Sequence, residues 1–237
     1  MADKWKALSG DAFSDRGLFV AALSGGSTPR DFYRALAGFG DHGIWRKTHI
    51  FMVDERYVPF TDADSNYGTL SKLLLDRVSI PAENRHPVPV QEKTLETAAD
   101  NYEGAIRSFF RLGKEELPGF DLITLGVGED GHTASLFPGH DALTEKARLA
   151  CPVRKAHKQH PRVTLTLPVI NRARDIIFLV TGEKKAAAIR EVVEKRNASL
   201  PASMVRPAKG NLSFVLDREA ASLLSPEFQR QCSTVTQ

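Results

Sequence analysis

An acid and an imidazole stand two residues apart, Asp130 and His132, in the stretch 126–138 (GVGEDGHTASLFP). An imidazole titrates near about pH 6.5, so His132 can take and return a proton at neutral pH. A carboxylate beside it can orient and support the ring, and an aspartate in such a position can equally serve as a turn former. Glycines at 126, 128 and 131 let the backbone turn sharply and approach a ligand closely. A second suggestive stretch is Ser24-Gly25-Gly26-Ser27-Thr28, followed by Pro29. Thr28 suits a helix N-cap and Pro29 a first helical position. Small residues leading into a helix start present free amides and a favourable dipole, which bind phosphate; an ordinary tight turn between strand and helix is the alternative. No Gly-Lys-Ser/Thr follows, so this is not a Walker A loop, and the G-x-G-x-x-G dinucleotide fingerprint is absent.

Other charged groups fall at the ends of apolar runs. Asp54-Glu55-Arg56-Tyr57 follows residues 49–53 (HIFMV). Arg56 has the fork geometry for a phosphate or carboxylate, or for a surface ion pair. Lys184 and Lys185 open a predicted helix over 185–194, where cations oppose the helix dipole unless an anion neutralises them; such a local violation marks a functional site. His157, Lys158 and His160 are read as solvated loop, since a metal site needs three or four ordered ligands.

Elements alternating along the chain must position these groups. Residues 17–23, 49–53, 122–125, 175–180 and 212–216 read as strands, and 122–125 (LITL) suits one covered on both faces. Helices are expected over 29–37, 67–75, 94–112 and 185–194, with a short closing helix at 217–224. Residues 162–168 (RVTLTLP) alternate as a half-buried strand would. Residues 151–153 and 201–205 read as short strand elements, and 81–91, with three prolines, as an extended connection. The weakly patterned 1–16 allow a short helix, and 225–237 read as a frayed tail. Strands alternating with helices imply an α/β fold with a doubly wound, mostly parallel sheet. The chain reads as one domain, 1–237, with both end segments peripheral. Ligands in such sheets bind beyond the carboxyl ends of the strands, where Asp130 and His132 fall.

The 237 residues are 42% hydrophobic and 26% charged, ordinary for a globular protein, with a net charge of +3 and a pI near 8.9. The basic residues are spread out, with no dense run of the kind that binds nucleic acid. No segment has the ~18 apolar residues of a membrane span, and the polar start is unlike a signal peptide. Two cysteines, Cys151 and Cys232, argue against a disulfide framework and for a reducing, cytoplasmic compartment.

Six stretches in order, SGGSTPR (24–30), DERYVPFTDADSNYG (54–68), DLITLGVGEDGHTASLFPG (121–139), RVTLTLP (162–168), TGEKKA (181–186) and LPASMVRP (200–207), resemble the 6-phosphogluconolactonase family. The related glucosamine-6-phosphate deaminases share the first three in part, but carry a glutamate five residues after the histidine, where this chain has Phe137. The resemblance implies hydrolysis of 6-phospho-D-glucono-1,5-lactone in the oxidative pentose phosphate pathway, without metal or organic cofactor. The partner it implies is this small-molecule sugar-phosphate lactone, with no nucleic acid or membrane, in a monomer or weak homodimer. It makes His132 the general base, with Asp130 in support. It assigns the phosphate to Gly25, Gly26, Ser27 and Thr28, with Arg56, Arg162 and Lys185 as cations. Family pattern favours Lys185 over Lys184. Asp54 is expected to contact sugar hydroxyls or to hold Arg56.

Overall fold

The computed structural model describes residues 1–39, 43–154 and 160–231. Six strands form one parallel sheet: β1 (Phe19–Leu23), β2 (Thr48–Met52), β4 (Arg85–His86), β5 (Leu122–Leu125), β8 (Asp175–Val180) and β9 (Asn211–Leu216), in the order β4-β2-β1-β5-β8-β9. Every residue of β1 and β5 is buried, which is why these runs carry no polar alternation. A second, antiparallel sheet of three strands, β3 (Asp54–Arg56), β7 (Arg162–Leu165) and β6 (Ala150–Val153), runs in the order β3-β7-β6.

The strand order sets the position of the site. From β1 the chain moves outward to β2 on one side, whereas β5 leads to β8 and β9 on the other. The reversal falls between β1 and β5, which pair directly. The loops leaving their carboxyl ends diverge around a crevice, as doubly wound sheets require at such a switch point. These loops are residues 24–28 and 126–133.

The helices are α1 (Ala2–Arg16), α2 (Pro29–Ala37), α3 (Asn66–Leu73), α4 (Leu95–Phe110), α5 (Leu167–Asn171), α6 (Ala186–Ile189) and α7 (Pro226–Gln231). Helix α2 has the predicted bounds, with Phe32, Tyr33 and Leu36 buried. Helix α4 begins after Thr94, whose side chain accepts the Thr97 amide.

Several local expectations are corrected. The N-terminal helix spans 15 residues rather than a short segment. Its inward groups are Trp5, Ser9 and Ala12, and the fully buried Trp5 packs edge-on to Phe19 at 4.9 Å. One large ring does the work of an apolar stripe, burying enough area for about 2–3 kcal/mol. Residues 201–205 are not a strand: Pro201–Met204 form a 3-10 turn, pinned where the Ala202 amide donates to the Gly131 carbonyl at 3.1 Å. Residues 217–224 form turns rather than a closing helix. Strand β7 is buried throughout, because β3 and β6 flank it, and the chain turns helical at Leu167. The 81–91 connection contains a 3-10 turn and β4. The helix expected over 185–194 is a 3-10 turn (Glu183–Lys185), then α6, then a π-helical stretch (Arg190–Glu194). The tail holds α7. His157, Lys158 and Cys232 lie outside the described residues. Among the described residues no helix is long and apolar enough to cross a membrane.

Candidate active site

A cleft of about 170 Å³ opens at the switch point. Its walls bring together Gly25, Gly26, Ser27, Thr28, Asp54, Arg56, His132, Arg162 and Lys185, from five separate segments. Asp130 does not line the cleft; it stands behind His132, and its Oδ1 pairs with the imidazole Nδ1 and accepts the His132 amide at 3.2 Å. In the neutral ring this leaves Nε2 as the basic nitrogen. Burial pushes the Asp130 carboxyl up, but the hydrogen bond and charge of His132 outweigh it and hold the group below the usual carboxylate range. Asp130 is therefore an anion at neutral pH, suited to support an imidazolium.

The backbone is shaped to this pair. Gly128 passes so close under the ring that a Cβ there would lie 2.0 Å from His132 Nδ1 and 2.5 Å from Asp130 Oδ1. The turn is closed by the Gly128 amide donating to the His132 carbonyl at 2.8 Å and by the Thr133 hydroxyl donating to the Gly126 carbonyl at 2.8 Å. Ala134, on the cleft wall, holds a left-handed φ of 52°, a conformation that costs a non-glycine residue energy and concentrates at functional sites. Phe137 is 5% exposed; its ring lies 4.6 Å from the His132 ring and 5.8 Å from the Arg162 guanidinium carbon.

The opposite wall is the start of α2. The Tyr33 hydroxyl donates to the Ser24 carbonyl, and the Ser24 amide donates to Thr124 Oγ1 at 3.3 Å, so the loop is held from below. Thr28 sits at the N-cap position with helical dihedrals and makes no side-chain cap; its hydroxyl lies 3.2 Å from that of Thr181. The expected cap is thus replaced by a contact between the two loops that flank the cleft.

The small sheet supplies the cations. Its register sets Arg56 directly opposite Arg162 and Asp54 opposite Thr164. Like charges facing one another across a ladder are destabilising. One compensation is Asp54, whose Oδ2 lies 3.6 Å from Arg162 Nη1 and accepts the Ser135 hydroxyl at 2.6 Å. Asp54 therefore holds Arg162, not Arg56; Arg56 Nη1 donates to the Asp64 carbonyl. Burial lowers the affinity of Arg162 for its proton, with Asp54 opposing and Arg56 assisting that shift. The Nε atoms of both arginines are buried and donate to no described residue. Two guanidinium groups placed side by side in this way can hold an anion. Lys185, half-buried at the end of its 3-10 turn, completes the rim.

Three contributors were not singled out from sequence. Glu55 is fully buried and accepts the amides of Arg56, Asn66 and Tyr67, each at 2.7 Å, and the Ser65 hydroxyl at 3.1 Å. It thereby ties the α3 start to the strand carrying Arg56. Asn66 lines the cleft, and Ser135 bridges Asp54 and Arg162. The Ser65-Asn66 pair opening α3 was a readable N-cap signal; the bridging role of Ser135 depends on a contact 81 residues away and had none.

The sequence model of the family described as glucosamine-6-phosphate isomerases/6-phosphogluconolactonase matches residues 1–214. The chain belongs to this family. Among curated members it is 42% identical over 217 residues to 6-phosphogluconolactonase of Synechocystis sp., covering 91% of this chain and 88% of that one. It is also 42% identical over 221 residues to 6-phosphogluconolactonase of Homo sapiens, covering 91% and 84%. Among solved structures, 6-phosphogluconolactonase from Trypanosoma brucei superposes with a TM-score of 0.82 at 31% identity, covering 94% of this chain and 93% of that one. The Thermotoga maritima 6-phosphogluconolactonase gives 0.78 at 31% identity, covering 91% and 93%. The doubly wound α/β fold and the family expected from the six motifs are thereby established.

Proposed function

We propose that the cleft hydrolyses 6-phospho-D-glucono-1,5-lactone to 6-phospho-D-gluconate, with His132 as general base. The observation that carries the reading is the convergence on one cleft of an Asp130-supported imidazole and a loop-plus-cation anion site. A lactone is an activated ester, so water needs a base and correct placement rather than a covalent nucleophile. His132 Nε2 takes a proton as water adds to the lactone carbonyl carbon. The bond from that carbon to the ring oxygen then breaks, and the imidazolium returns the proton to the ring oxygen. Asp130, ionised at neutral pH, stabilises the imidazolium between these steps.

The phosphate is held by amides and hydroxyls of Gly25, Gly26, Ser27 and Thr28 at the α2 start, and by Arg56, Arg162 and Lys185. Binding at this remote group places the reacting carbon and lowers the entropic part of the barrier. Phe137 supports hydrolysis over deamination: an apolar ring, packed on His132, occupies the position of the deaminase glutamate.

The test is His132→Ala. Turnover of freshly prepared lactone, corrected for spontaneous opening, should fall about 10²–10⁴-fold while affinity for 6-phosphogluconate is retained. Turnover within a few-fold of wild type would remove His132 from the mechanism.

A further inference from the structure

Asn66 begins α3 and lines the cleft beside Gly25, yet none of the roles above uses its side chain. It is 3% exposed. Its amide orientation is fixed, because Nδ2 donates to the Asp54 carbonyl at 2.9 Å and the inverted amide would set two oxygens against each other. Its backbone is held as well, by donation to Glu55 at 2.7 Å. Oδ1 therefore lies against Gly25, where an added Cβ would fall 1.8 Å from it. That buried oxygen accepts a hydrogen bond from no described residue.

A buried acceptor without a donor is costly, and a site that holds one rigidly discriminates for a ligand able to satisfy it. The cations, and the amides and hydroxyls of residues 25–28, supply donors, which match phosphate oxygens. Asn66 Oδ1 has the opposite polarity: a phosphate dianion has no proton to give it. A sugar hydroxyl has. We infer that Asn66 Oδ1 accepts a hydrogen bond from a hydroxyl of the substrate, making Asn66 a specificity residue that selects hydroxylated phosphate esters over bare ones. The inference rests on the sugar-phosphate reading of the cleft.

The experiment compares two probes by calorimetry: 6-phosphogluconate, and 6-phosphohexanoate, which keeps the carboxylate and phosphate but has no hydroxyls. In Asn66→Ala, affinity for 6-phosphogluconate should fall about tenfold and affinity for 6-phosphohexanoate should stay within about twofold, as expected for one lost hydrogen bond. An unchanged ratio between the two probes overturns the inference. A second arm needs no variant. Among monodeoxy forms of 6-phosphogluconate, at least one should bind wild type about tenfold more weakly, and binding of all of them within about twofold overturns the inference. If wild type binds neither parent probe, the phosphate reading itself fails, and the inference with it; wild-type binding with an unchanged ratio in the variant refutes Asn66 alone.

Discussion

Gly128→Ala is a one-methyl substitution that should disable the proposed base without replacing it. The new methyl carbon would stand 2.0 Å from His132 Nδ1, 2.3 Å from Cε1 and 2.5 Å from Asp130 Oδ1. Ordinary van der Waals contact begins at 3.4 Å, so the ring must retreat by about 1.4 Å or swing away from Asp130. A displacement of about 1 Å at a reacting group can cost roughly 10²-fold, and full loss of a general base about 10²–10⁴-fold. The expected fall in kcat is therefore about 10²–10³-fold. Stability should change little. Gly128 is not among the glycines with left-handed φ, and the Asp130 side chain, 49% exposed, has solvent to move into. Binding of 6-phosphogluconate should persist, since the anion site lies on other segments. Gly126→Ala is the control: the nearest atom to its Cβ is the Leu179 carbonyl oxygen at 4.0 Å, and near-wild-type turnover is expected. The readouts are initial rates corrected for spontaneous lactone opening, thermal unfolding and product affinity. A Gly128→Ala enzyme turning over within about threefold of wild type would refute the claim that the His132–Asp130 geometry carries the chemistry.

Two further outcomes are expected. Lys185→Ala and Arg162→Ala should raise KM by about 10–100-fold, the scale of a charge-assisted hydrogen bond, with less change in kcat. Lys185→Ala is the cleaner variant, because removing Arg162 also strips the buried Asp54 of its cation; an unchanged KM in both would place the phosphate elsewhere. The second concerns acid. His49 Nδ1 and His86 Nε2 lie 3.2 Å apart, with Phe51 stacked 4.0 Å from the His86 ring. Burial, then the proximity of His49, draws His86 down to about 4, and burial lowers His49 against the opposing charge of Glu83. The unfolded chain binds these protons near about pH 6.5 and the folded chain only lower, so the contribution is complete above about 6.5 and is lost as pH falls toward 4. The Tm of wild type should drop through that window more steeply than that of His86→Phe, which keeps an aromatic ring on Phe51. Parallel curves would show that the pair does not titrate there.

Legibility followed the scale of the signal. Strands β1, β5 and β8 and helix α2 were readable because apolar runs end in strong punctuation such as Thr28-Pro29 and Gly126. Helix α1 was understated because burial rests on Trp5 with small partners, which leaves no stripe for periodicity to detect. Residues 201–205 misled because Pro201 and small neighbours permit either an extended strand or a turn, and the Gly131 carbonyl, 71 residues away, decides. Groups named from local chemistry, including His132, Lys185 and the 24–28 loop, line one cleft. For Asp54, one of the two expected roles, holding Arg56, was misassigned, because the neighbour in space is Arg162.

That misassignment exposes how the site is built. On a strand, side chains at i and i+2 share a face, so Asp54 and Arg56 project from the same side of β3. Antiparallel register then brings Arg162 opposite Arg56. Two cations and one buried acid share this face, and Ser135 ties the acid to the second cation through hydrogen bonds of 2.6 and 3.3 Å. Asp54 lies within ion-pair distance of Arg162, and neither arginine Nε donates to a described residue. The small sheet therefore sets two guanidinium groups side by side where the main sheet reverses its strand order. In the proposed reading, a phosphate in the cleft would meet this like-charge ladder pair and the N-terminus of α2 together. Relief of the repulsion between the two cations would then contribute to substrate binding, far from the carbon that His132 is proposed to reach.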